Sequence, residues 1–258
     1  MKTKLSPLFT ETFRAANEDA PDFVADKLAF HGYTVERGER YVYAPGTIPI
    51  LLVAHTDTIH RRTPETLYYD AGKRVVWSPT GLGADDRAGV YAILALLQRG
   101  YRPHVLFPDC EETGGQGAAE AAIDLYPSVH CLIELDRMNH KDAAVYQCCN
   151  PAWERWLIRR GWDICRGTYT DIVDLMPAFG VAGANLSVGY YSQHTLGEYL
   201  RLNELSTTID RVARMLRNPP RRPFAYQTAL PSRDAALALD LDSVDWNRYS
   251  YTRSWYER

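Results

Sequence analysis

Five short segments of the chain carry histidines and carboxylates of the kinds that bind metal ions or move protons. They are His55-Thr56-Asp57, Gly83-Ala84-Asp85-Asp86, Glu111-Glu112-Thr113-Gly114, Glu134-Leu135-Asp136 and Gly189-Tyr190-Tyr191-Ser192-Gln193-His194. Each follows a strand-like apolar run. In open α/β sheets ligands bind just beyond the carboxyl ends of the strands, so side chains delivered to that edge can converge on one site.

His55 and Asp57 lie two apart at a strand end, which sends both side chains to one face. A metal-bound imidazole usually gives its second N–H to a carboxylate, and Asp57 is spaced for that part. Asp85 and Asp86 sit in a glycine-rich turn that enters a helix. One carboxylate there can bridge two cations while the other anchors the turn or the helix start. Gly81-Leu82-Gly83 is not a dinucleotide loop, because Asp86 replaces the third glycine and two carboxylates would repel a pyrophosphate. Glu111 and Glu112 are neighbours in an extended turn and point apart, so one can ligate metal while the other faces a water. Asp136 and His194 each follow a strand-like run. Taken singly, all of these have ordinary explanations as caps, loop residues or acids at a helix start. Their occurrence together, in this order and each at a strand end, argues for one site.

The elements that must hold these residues alternate. The pattern predicts a helix over 8–32 and a hairpin over 33–43 turning near Arg37-Gly38-Glu39. Residues 48–54 (IPILLVA) have the continuous apolar character of a buried central strand. A helix follows over 87–99, ended by Gly100. Further strands are expected at 104–107, 131–135, 145–148 and 181–188, with helices at 116–126, 153–161, 172–179 and 196–216. The fold class read from this is α/β: three layers, α/β/α, around a mixed, mostly parallel sheet. Residues 1–217 are expected to form a single catalytic domain. Asn218-Pro-Pro-Arg-Arg-Pro223 reads as a linker. It leads into a C-terminal tail over 218–258 with a short helix at 235–241 and aromatic residues at Trp246, Tyr249, Tyr251, Trp255 and Tyr256. That tail is expected to pack on its own domain, with a homo-oligomer or partner contact as the alternative.

A length of 258 residues, 46% hydrophobic composition and a net charge of −3 suit a globular domain and argue against nucleic acid as a partner. No apolar run approaches the roughly 18 residues of a membrane span. The first nine residues lack the apolar stretch of a secretory signal. Five cysteines with no CxxC spacing point to a reducing compartment, so a cytoplasmic location is expected.

With these motifs assembled, the chain resembles the co-catalytic (di-zinc) metalloexopeptidases. That superfamily has the same order of HxD, a Gly-rich turn with paired acids, EE, an Asp after a strand and a late His. Here the motifs are LLVAHTDT, GLGADDRAG, CEETGGQG, IELD and GYYSQHTLGEY, and the likeness spans roughly residues 10–216. It implies two divalent metal ions, with zinc best suited to two histidines and carboxylates, and cobalt or manganese able to replace it. It further implies that Asp85 bridges both ions, that His55 and Asp136 complete one site, and that Glu112 and His194 complete the other. Asp57 would orient His55, Glu111 would be the general base, and the Asp85–Asp86 peptide would be cis.

Asp85 follows Asp57 by 28 positions and His194 follows Asp136 by 58, which leaves no room for an inserted lid domain. The chain is therefore most similar to the single-domain leucyl-type aminopeptidases. Without a lid histidine, Tyr190 or Tyr191 is the candidate donor to substrate. Asp171, in Thr170-Asp171, is either a helix N-cap or a residue beside the site. The implied activity is hydrolysis of a terminal peptide or amide bond, as an aminopeptidase or as an N-acyl amino acid deacylase acting on a small substrate. A homologue that only binds a peptide would be expected to lack a ligand, and none is missing.

Overall fold

Apolar runs and chain breaks together decide the elements. The computed structural model describes residues 5–228, which build, in chain order, α1 (Pro7–Arg14), α2 (Ala20–Phe30), β1 (Glu36–Arg37), β2 (Tyr41–Ala44), β3 (Ile48–Val53), β4 (Tyr68–Asp70), β5 (Val75–Trp77) and α3 (Ala84–Gln98). There follow β6 (Pro103–Pro108), α4 (Gln116–Asp124), β7 (Cys131–Arg137), β8 (Asp142–Ala144), α5 (Pro151–Ile158), β9 (Asp163–Cys165) and α6 (Ile172–Phe179). The last are β10 (Gly183–Ser187), β11 (Tyr190–Tyr191), β12 (Tyr199–Arg201) and α7 (Leu202–Arg217).

Eight strands form one mixed sheet in the order β1-β2-β6-β3-β7-β10-β8-β9. Its centre, β6-β3-β7-β10, is parallel; β2 and β8 pair antiparallel with its two sides, β1 antiparallel with β2, and β9 parallel with β8. The central strands are buried on both sides, with Leu51, Leu52, Val53, Leu132, Ile133 and Leu106 all fully inaccessible. Parallel connections are almost always right-handed. The path from β3 through α3 to β6 and the return from β6 through α4 to β7 run in opposite directions along the sheet, so their helices cover opposite faces. α1 and α7 pack against α3, and α4 packs against α6. The result is the expected three-layer α/β/α sandwich. Neighbouring strands β3 and β7 thereby send their chains away in opposite directions, which opens a crevice at their carboxyl ends.

A second, antiparallel sheet has the order β11-β12-β5-β4. Its strands are two or three residues long, below what alternation can signal. It accounts for one correction: the helix expected from residue 196 begins only at Leu202, because Tyr199, Leu200 and Arg201 pair with Trp77, Val76 and Val75. A second correction is that the helix expected over 8–32 is two. Pro21 sits in the first turn of α2, where its missing N–H is harmless, and it would break a continuous helix. The residues between are held by distant partners instead: Asn17 Nδ2 donates to Thr58 O at 2.8 Å, and the Arg87 guanidinium donates to Ala15 O and Asn17 Oδ1 at 3.1 Å each. The strand expected at 145–148 lies at Asp142–Ala144.

After α7 the chain turns back across α5. Phe224 packs on Trp153 and Trp156, with ring centroids 5.3 and 6.0 Å apart, and Asn150 Nδ2 donates to Ala225 O at 2.9 Å. The short helix at 235–241 and the aromatic cluster at 246–256 lie outside the described residues. No described helix is long and apolar enough to cross a membrane.

Candidate metal centre

Strand register brings the first pair together. Val53 of β3 stands beside Glu134 of β7, so two residues further on His55 faces Asp136 across the crevice. His55 Nε2 is 3.7 Å from Asp136 Oδ1. His55 Nδ1 lies 3.0 Å from the Asp57 carbonyl oxygen and 3.3 Å from Asp57 Oδ1. A carbonyl can only accept, so Nδ1 carries the proton and Nε2 is left to face the acids. Both oxygens of Asp57 have further duties: Oδ1 accepts the Glu111 amide at 3.0 Å and Oδ2 the Glu112 amide at 3.1 Å.

Asp85 enters from the start of α3. Gly83 precedes it in the left-handed region, at φ 66°, and the Asp85–Asp86 peptide is cis. The carboxylate of Asp85 faces both ways: Oδ1 is 3.2 Å from His55 Nε2, and Oδ2 is 3.2 Å from His194 Nε2. Asp86 is fully buried and turned inward, where Oδ1 accepts the Gly89 amide at 2.9 Å and so anchors the helix start. α3 lies close against β7 at Gly89, where a side chain would collide with the Leu135 carbonyl.

His194 lies in the 192–198 loop that joins β11 to β12, with a positive φ of 62°. Its Nε2 is 3.0 Å from Glu112 Oε2, and half of its side chain is exposed. Two groups of potential ligand atoms result, His55–Asp85–Asp136 and Asp85–Glu112–His194, each with its atoms within 4.8 Å of one another and with Asp85 common to both. Glu112 Oε1 is buried without a hydrogen-bond partner. Imidazole nitrogens beside converging carboxylates, with a spare carboxylate oxygen, make a donor set that suits a divalent metal ion.

The electrostatics reflect the crowding of acids. Burial pushes the Glu111 carboxyl up to about 7, with Asp136, Asp85 and Asp57 adding to it against the pull of His55. Glu112 is likewise pushed up to about 7, by burial and then Asp85. Burial opposes charge on His55, but hydrogen bonds to Asp136, Asp57 and Asp85 outweigh it and raise its pKa well above the ordinary value. His194 rises to about 9, chiefly through its hydrogen bond with Asp85. Asp85 is held below the usual carboxylate range, because the two histidines overcome its burial.

The remaining candidates separate. Tyr190 is buried and donates its hydroxyl to Asp136 Oδ1 at 3.0 Å. Tyr191 is committed elsewhere: its hydroxyl donates to Glu204 Oε2 at 2.7 Å and its ring stacks on Tyr199. Asp171 stands at the start of α6 but makes no capping hydrogen bond. It is fully buried and neither oxygen has a partner. Burial pushes its pKa well above the ordinary value, with Glu111, Asp136 and Asp57 adding to the shift against His55. Its neighbour Thr170 donates to Asp136 Oδ2 at 3.2 Å.

Three residues around the site were not singled out from sequence. Asn185 of β10 clamps Asp136, accepting its amide at 2.9 Å and donating to its carbonyl at 2.8 Å. The signal available for it was an amide side chain in the middle of a fully buried strand, between Ala184 and Leu186. Arg87 is buried behind the site, with a short hydrogen bond to Thr56 O. Glu198, four residues after His194, is buried against the Asp85 turn.

No family model matches the sequence, and comparison with curated proteins finds no match. The fold does have solved counterparts. A tripeptidase from Staphylococcus aureus superposes with a TM-score of 0.66 at 14% identity, covering 81% of this chain and 96% of that one. A Zn-dependent exopeptidase from Parabacteroides distasonis gives 0.57 at 14% identity, covering 82% and 95%. A glutaminyl cyclase from Porphyromonas gingivalis gives 0.57 at 15% identity, covering 83% and 96%. The chain thus has the fold seen in zinc exopeptidases. Because a cyclase shares that fold, the chemistry has to be argued from the site.

Proposed function

We propose that this chain is a metal-dependent hydrolase that removes a terminal residue from a small peptide, as an aminopeptidase. The observation that carries this reading is the placement of Asp85 between His55 and His194, 3.2 Å from each, with Glu111 held beside them on Asp57. His55, Asp85 and Asp136 would hold one divalent ion, and Asp85, Glu112 and His194 the other. Such ions supply Lewis-acid polarisation of a carbonyl and lower the pKa of a water.

Glu111 carries the proton in this scheme. Its carboxyl, pushed up to about 7 by burial and the neighbouring acids in the metal-free chain, would be drawn back down by two bound cations and so stand ready as the carboxylate that takes a proton. It accepts the proton of the attacking water and returns it to the leaving amine. Asp57 fixes the Glu111 amide and the His55 tautomer together, so the base and the ligand keep one geometry.

The test is metal content of protein purified without chelator, followed by product release from a panel of aminoacyl and N-acyl amides. Two ions per chain and chelator-sensitive release from free-amine substrates support the aminopeptidase. Release confined to N-acyl substrates makes the chain a deacylase. Failure to bind metal or to cleave after zinc or cobalt is restored rejects the hydrolase.

A further inference from the structure

Resting on this two-ion reading, we propose that Glu198 is a positioning residue that ties the turn carrying Asp85 to the loop carrying His194, so that the two ion sites form as a unit.

Glu198 is 1% exposed. A buried carboxylate is costly unless it is hydrogen-bonded, and this one has three donors. Oε2 accepts the Gly83 amide at 2.6 Å, and Oε1 accepts the Asp85 amide at 3.0 Å. His60 Nε2 lies 3.3 Å from Oε2 and donates to it, since a carboxylate can only accept. His60 is its only ion-pair partner among the described residues. The carboxylate is therefore spent on the backbone of one turn, Gly83 to Asp85.

That turn and the 192–198 loop also meet where His194 Nε2 lies 3.2 Å from Asp85 Oδ2, but that contact joins the two ligands themselves, whereas Glu198 grips the backbone beneath them. Asp85 is the ligand common to both ion sites, and its amide is pinned by Oε1. His194 stands four residues before Glu198 in a loop where Ser192 and His194 both have positive φ, 57° and 62°. Such a backbone holds its shape only when its surroundings over-determine it, and Glu198 supplies the anchor at the far end. A glutamine here would keep the volume but turn its amide NH₂ toward one of the two N–H groups, leaving that donor unmet. Displacing Glu198 shifts the shared ligand and the His194 loop together. Outer partners of metal ligands commonly contribute roughly 10- to 100-fold in metal affinity.

The experiment is zinc titration of the full-length chain against a chromophoric chelator, well below the unfolding temperature. Glu198→Gln is expected to weaken both ions, each by roughly 10- to 100-fold. His194→Ala, which removes a ligand of one group only, is expected to weaken chiefly one. A merely structural role would lower the Tm of the metal-free variant and leave both affinities intact, and that result overturns the proposal. If Glu198→Gln does not fold, His60→Ala replaces it: loosening the carboxylate should weaken both ions, and unchanged affinities overturn the proposal equally. A wild-type chain that binds no zinc instead rejects the two-ion reading itself, and the role of Glu198 with it.

Discussion

Asp57 accepts the amide of Glu111 at 3.0 Å while its carboxylate and carbonyl oxygens hold the imidazole of His55. One side chain thus sets both a ligand and the group proposed to carry the proton. Asp57→Asn keeps the size but offers an NH₂ to one of these donors. Activity is expected to fall roughly 10- to 100-fold, with metal affinity weakened within the same range. Steady-state rates and zinc titration together check this, and a variant with wild-type values on both would remove Asp57 from the site.

Glu111→Gln separates ligation from proton transfer. Glu111 belongs to neither group of ligand atoms, so the variant should bind metal like the wild type. Its turnover should fall by roughly 10²- to 10⁴-fold, since an amide cannot carry the proton. Near-normal turnover would exclude Glu111 as the base.

Asp85 faces both histidines, whereas each histidine faces its own group of acids. Asp85→Ala is therefore expected to lose both ions, and His55→Ala and His194→Ala to lose chiefly one each. Elemental analysis of the purified variants distinguishes these outcomes. Full occupancy in Asp85→Ala would contradict the bridging assignment.

The metal-free chain should grow more stable as the pH falls. Glu111 and Glu112, raised to about 7, and Asp136, raised by burial and Asp85, hold protons more tightly folded than unfolded. So do His55 and His194, the latter raised to about 9. All of these favour folding at lower pH, and their contribution is lost as the pH rises from about 5 to about 9. Asp57 and Asp85, whose values are depressed, withdraw their stabilisation only in more acidic solution. The Tm of chelator-treated protein should accordingly be higher near pH 5.5 than near pH 8, and added zinc should raise it more at the higher pH, because binding displaces protons. A Tm that rises with pH in the metal-free protein would refute this account.

How much of this was legible in the sequence depended on the range of the interaction concerned. The central strands could be read because a strand buried on both faces is apolar throughout, as in IPILLV. The helix over 8–32 was misjudged because its apolar positions continue past Pro21, while its interruption is stabilised by Thr58 and Arg87, distant in sequence. The 68–77 hairpin was not recognised, since strands of three residues carry too little alternation. Its absence moved the expected start of the last helix.

The order of His55, Asp85, Glu111, Glu112, Asp136 and His194 is a property of the sequence alone, and the alternation of strands and helices brings the ends of β3, β6 and β7 to one edge, whereas Asp85 and His194 arrive from the small second sheet. What only the tertiary structure decided is which atoms meet. Asp85 spans two histidines, Asp86 turns inward, Tyr190 reaches Asp136 while Tyr191 turns to Glu204, and Glu198 grips the Asp85 turn. These choices rest on strand register, on the opposite crossover directions beside β3 and β7, and on a few buried hydrogen bonds between residues tens to more than a hundred positions apart. A pattern read along the chain reports local periodicity, and side-chain direction at a site is set by contacts that periodicity does not encode.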